Sequence, residues 1–160
     1  MSVAFTKEGD AESVAADLPD RPISSHPNLV TPSGLALLNE ALAQARSAYA
    51  AARSAGDGVS ADRTAMARAT RDLRYYAARR GSAQLVEPSN EIGVARFGST
   101  VTLDRADGRR QMFRIVGEDE ANPAAGAISY ISPLAQALMG LGIGDEVLVA
   151  GGDAEIITIE

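Results

Sequence analysis

The chain has 160 residues, enough for one ordinary domain or two small ones, and its 46% apolar content is that of a globular protein. It has no cysteine and a single histidine, His26, which excludes a disulfide framework, a thiolate zinc site, a His-His metal site and a serine-hydrolase triad. The net charge of −6 is unevenly spread: residues 1–30 carry −3, residues 31–90 carry +3 and residues 91–160 carry −6.

No apolar run is long enough to span a bilayer, and the first twenty residues lack the basic and apolar regions of a secretory signal. A cytoplasmic protein with no membrane contact and no cofactor of its own is the expectation. Gripping a nucleic-acid backbone needs clustered Lys and Arg, so the acidic C-terminal part suits a basic protein surface instead.

In chain order, residues 1–30 read as a disordered or extended leader. Pro19, Pro22 and Pro27, with few apolar residues, leave little surface to offset the entropy of ordering. Thr31-Pro32 then marks a helix start, with Thr31 as N-cap and proline at the first helical position. Leu35, Leu38, Leu42, Ala45, Tyr49 and Ala52 follow at alternating spacings of three and four, a heptad seam. The glycines of Ala55-Gly56-Asp57-Gly58 interrupt it, and a second seam runs through Met66, Ala69, Leu73 and Tyr76. A connection this short requires the two helices to pack antiparallel, giving a helical hairpin over 31–86 with its tip near 55–60. Both tyrosines read as core residues. Arg68, Arg71, Arg74 and Arg79 read as a solvated face that could also meet nucleic acid or an acidic wall. Arg80-Gly81-Ser82 closes the second helix.

Residues 91–160 read as a compact α+β domain. Strands are predicted over 98–103 and 111–116, joined by a turn at Asp107-Gly108, and over 128–131, 146–149 and 155–159. Ser132-Pro133 opens one short helix, closed by Gly140.

Four blocks in this part resemble the Gre family of bacterial transcript cleavage and elongation factors. They are Phe97 to Leu103, Phe113 to Ala121, Ile128 to Leu138, and the turn Gly144-Asp145-Glu146-Val147, in the family's order and spacing. Arg71 to Tyr76 through Ala83 to Val86 resembles the end of the family's hairpin, so the likeness spans roughly residues 31–160. The resemblance implies an N-terminal antiparallel helical hairpin (a coiled coil) and an FKBP-like α+β domain that clamps the rim of the RNA polymerase secondary channel. It also implies that the coiled coil carries two carboxylates toward the polymerase active site, where they help hold magnesium for hydrolysis of backtracked RNA. That chemistry is the polymerase's own, stimulated in trans: two metals neutralise the attacking and leaving oxygens, and magnesium favours hard carboxylate donors. The chain would then be an accessory factor rather than an enzyme, a monomer touching nucleic acid only indirectly within the elongation complex.

At the tip the sequence departs from the family's pattern, which is Gly-Asp, then Glu three residues after the Asp, then Asn. Gly56-Asp57 matches, but Ser60 and Ala61 stand at the later positions, and the next acid is Asp62. The resemblance makes Asp57 the magnesium-sharing residue and Asp62 its substitute partner. Asp57 is also a good turn residue, and Asp62 also suits the start of a helix. For polymerase contact the candidates are Ser132 and Pro133, which equally serve as a helix cap, and Glu118, Asp119 and Glu120, which equally suit a solvated loop. The hairpin is shorter than the family's usual one. This leaves open a second reading, a regulator resembling the nucleoside diphosphate kinase regulator that binds polymerase without cleavage. Prolyl isomerase activity has no support, because three Phe, four Tyr and no Trp in the whole chain do not supply an aromatic-lined pocket.

Overall fold

Thr31 opens the first long helix, its Oγ1 accepting a hydrogen bond from the Gly34 amide at 3.0 Å. In the computed structural model, which describes residues 18–55 and 60–160, that helix is α1, Pro32–Ser54. The second, α2, is Ser60–Ser82. The turn expected between them, with Asp57, lies outside the described residues. The heptad seam is the face that closes: Leu38, Leu42 and Ala45 of α1 and Ala69 of α2 are buried. Leu35, Tyr49, Ala52, Met66, Leu73 and Tyr76 are half-buried. Near the start of α1, Asn39 accepts a bond from the Arg80 guanidinium at 2.5 Å, near the end of α2. Joining the beginning of one helix to the end of the next is what an antiparallel pair requires.

Two expectations for these helices are corrected. Arg79 is only 2% exposed, while Arg68 and Arg74 on the same helix lie in solvent and Arg71 is half-buried. Three residues after Tyr76, Arg79 falls on the apolar side of α2 rather than on the solvated face. Tyr76, expected in the core, keeps one ring face for the Arg21 guanidinium, 5.1 Å from its centroid.

The segment read as a leader reaches into regular structure. Leu29–Val30 (β1) pairs in parallel with Gln84–Leu85 (β2), and Asn28 and Val30 are buried. The chain divides into two compact units, one of residues up to 26 with 38–82, the other of residues 27–37 with 83–160.

The second unit is built on five strands: β3 (Thr100–Arg105), β4 (Arg110–Val116), β5 (Ala127–Ser129), β6 (Glu146–Val149) and β7 (Gly152–Ile159). Their order is β5-β4-β3-β7-β6, with β4 and β5 parallel and the other neighbours antiparallel. Alternation selects the inner face, because successive strand residues point to opposite sides. Val101, Leu103, Ile115, Val147, Ala154 and Ile156 are therefore buried. The short helix α3 (Pro133–Leu138) closes this core by inserting Ala135 and Leu138, both fully buried. Asp107-Gly108 makes the β3–β4 turn, with Gly108 at φ 84° and the Arg105 amide bonded to the Arg109 carbonyl at 2.9 Å. The unit is thus of the expected α+β class. β5 stops at Ser129, earlier than expected, because the Ser132 amide turns back onto the Ser129 carbonyl at 2.9 Å.

Candidate functional site

Ser132 and Pro133 sit at the free end of α3, whose other face is anchored in the core by Ala135 and Leu138. Ser132 is extended, at φ −66° and ψ 151°, and its Oγ accepts from the Ala135 amide at 3.3 Å. Pro133 is exposed and Ser132 half-buried. The approach to this cap is fixed at several points. Gln136 Nε2 donates to the Tyr130 carbonyl at 2.8 Å, and the Tyr130 hydroxyl donates to the Pro27 carbonyl at 2.5 Å. The Tyr130 ring meets Phe97 edge-on with centroids 5.7 Å apart. The capping geometry explains both residues structurally, and it also makes this end of α3 a pre-ordered surface. Such a surface can dock a partner without paying further ordering entropy.

The acidic run behaves differently from a solvated loop. Glu120 has a side chain only 8% exposed, and its carboxylate is committed within the unit. It accepts from Thr31 Oγ1 and Ser33 Oγ, each at 2.6 Å, and from Arg114 Nη1 at 3.0 Å. Arg114 Nη2 also reaches Ser33 Oγ at 3.0 Å. The carboxylate therefore lies at the N-terminus of α1, where an anion is favoured by the helix dipole and by charge-assisted bonds. Glu120 consequently leaves the set of acids open to a partner. Glu118 and Asp119 are half-buried.

The family described as "Transcription elongation factor, GreA/GreB, C-term" matches residues 89–160. Transcription elongation factor GreA from Desulfovibrio desulfuricans is 36% identical over 112 residues, covering 69% of this chain and 68% of that one. The chain belongs to the GreA/GreB family of transcription elongation factors. Transcription elongation factor GreB from Neisseria meningitidis is 38% identical over 96 residues, covering 56% of this chain and 59% of that protein. The crystal structure of GreA factor homolog 1 from Thermus thermophilus aligns over 84% of this chain and 99% of that one, at 22% identity and a TM-score of 0.40.

The matched span of this Gre-family chain contains β3 to β7 and α3, and so contains Ser132, Pro133 and the 118–120 run. Of the tip residues, Asp57 lies outside the described residues, and Asp62 falls by position in the first turn of α2. Among the described residues no group of three or more His, Asp or Glu is placed to hold a metal ion, and no helix is long and apolar enough to cross a membrane. Besides the Glu120 cluster, a second constellation that sequence reasoning missed lies on α2, where Asp72, Tyr75 and Tyr76 receive Arg21. The Asp-Leu-Arg-Tyr-Tyr spelling was its only signal, and the heptad reading had assigned Tyr76 to the seam.

Proposed function

We propose that this elongation factor binds bacterial RNA polymerase at the secondary channel through the surface around Ser132 and Pro133, with the helical pair directed into the channel. The observation that carries the reading is the core-anchored, pre-ordered end of α3, which lies in a block of the Gre-family match. The charge of −6 on residues 91–160 supports a basic docking surface on the polymerase. Arg46, Arg53, Arg63 and Arg68 are exposed on the helices and suit the indirect contact with nucleic acid that such a position brings.

Any RNA hydrolysis in this scheme is the polymerase's own, and magnesium at its active site supplies the charge neutralisation. The donors this chain offers are carboxylate oxygens, the type magnesium prefers. Asp57 holds the position expected to share that ion, and Asp62 is the nearest further acid. Ser60, the first residue of α2, stands where the family's active tip has its second carboxylate. That substitution supports channel occupancy that modulates elongation with little cleavage, over strong stimulation.

The test is polymerase binding by the full chain. Pro133→Arg adds bulk and positive charge at an exposed position and should weaken binding at least tenfold with the fold intact by circular dichroism. Ser132→Arg should weaken it further, since it also removes the cap, a loss of about 1 kcal/mol. Binding should fade with salt, because exposed charges are screened over about 8 Å at physiological ionic strength. Unchanged affinity of both variants would remove this surface from the reading.

A further inference from the structure

The helical unit holds an arginine in a receiving site that lies outside the residues matched by the family model. Arg21 stands in the segment 18–26, which has no regular secondary structure beside α2. Its guanidinium carbon lies 3.8 Å from the Tyr75 ring centroid and 5.1 Å from that of Tyr76. The two rings are edge-to-face, with centroids 5.2 Å apart and planes at 81°. Arg21 Nη1 donates to Asp72 Oδ1 at 3.3 Å. Hydrogen bonding to Tyr76, and then to Asp72, raises the Arg21 pKa above its ordinary value.

One carboxylate beside two ring faces is a set that favours a planar, weakly hydrated guanidinium over a compact ammonium or an anion. We propose that Asp72, Tyr75 and Tyr76 form a binding site for an arginine side chain on a protein partner, and that Arg21 is its tethered occupant in this chain. The attachment of Arg21 is of the kind that exchanges. The Arg21 and Asp72 side chains are 35% and 39% exposed, and the flanking Asp20–Arg74 pair, at 3.1 Å, is more exposed still. Exposed ion pairs hold weakly. A tethered group acts at an effective concentration on the order of millimolar. Arg21 thus excludes weak ligands and yields to a segment that brings an arginine together with further contacts. The occupant is a polypeptide, because only a chain brings an arginine together with the further contacts needed to displace a tethered group.

The experiment uses the full chain, the Arg21→Ala variant and a synthetic peptide copying residues 18–26. Binding is read from the Tyr75 and Tyr76 ring resonances by NMR. The variant should bind the peptide at least tenfold more tightly than the native chain. The same peptide with Arg21→Lys should bind it about tenfold more weakly, and adding Asp72→Asn to the variant should abolish binding. If Arg21→Ala lowers helicity by circular dichroism, the full-length Arg21→Lys chain replaces it and should show an intermediate gain over the native chain. Equal peptide affinity of native and variant chains, or equal affinity for the arginine and lysine peptides, would overturn the proposal and leave residues 18–26 as a structural strap.

Discussion

Glu120 gathers three donors from two distant stretches of chain, and its loss should be felt accordingly. With Glu120→Ala the Thr31 and Ser33 hydroxyls and the Arg114 guanidinium lose their acceptor. Bonds to a charged group contribute about 1.5–3 kcal/mol each and are not additive, so a loss of about 2–4 kcal/mol is expected in chemical denaturation. Glu146→Ala, at an exposed strand position, should change stability by less than about 0.5 kcal/mol. Equal small effects would show that the Glu120 cluster contributes nothing. This cluster was not legible in the sequence, because Thr31 and Ser33 lie 89 and 87 residues from Glu120 and no local period links them. Two glycines are its only trace. A Cβ at Gly34 would lie 2.6 Å from Glu120 Oε2, and one at Gly117 would collide with the Leu29 carbonyl oxygen. Gly34 inside a helix costs propensity, and the close approach of Glu120 and Thr31 accounts for it.

Elements were far more legible, since they follow from periods that a sequence shows directly. The seam Leu38, Leu42, Ala45 is buried as spaced, and Thr31 caps the helix that it was expected to cap. Leu38→Asp places an unpaired charge at a position 2% exposed, so a loss of about 3–5 kcal/mol and a lower helicity are expected. A melting curve by circular dichroism unchanged from the native chain would show that the seam does not hold the pair. The β3–β4 turn should carry a pH dependence through Asp107. Bonds from the Arg109 side chain, and then its backbone amide, hold the Asp107 carboxyl below its ordinary value. Its contribution is therefore present above the ordinary carboxylate range and is lost as the pH falls through the lowered value. Asp107→Asn should reduce stability slightly at neutral pH and leave it unchanged in strong acid, by denaturation at the two pH values. A larger loss in acid would reverse the assignment. The ends of elements were read less well, because they depend on partners: β5 stops where Ser132 turns back, and β1 exists only because Gln84–Leu85 lies beside it.

For the molecule as a whole, the decisive question is whether a factor with one matched tip acid stimulates cleavage. The tip pattern that the resemblance implies has an Asp and a Glu together, and this chain has Asp57 with Ser60 at the second position. Each helix has 23 residues, about 35 Å at 1.5 Å per residue. Removing one preorganised charge-stabilising group from a reacting centre typically lowers the rate by about 10²–10³. The native chain should therefore bind stalled polymerase complexes but release little cleaved RNA. Asp57→Ala should abolish what activity there is without weakening binding, since the surface proposed for docking, around Ser132 and Pro133, does not include the tip. Ser60→Glu should raise cleavage by about tenfold or more if the tip reaches the reacting phosphate, because it restores the second oxygen donor. If Ser60→Glu binds normally and still gives no cleavage, reach rather than chemistry is limiting, and the chain acts by occupying the channel. Robust cleavage by the native chain that survives Asp57→Ala would show that the acids at the tip are not the groups that matter.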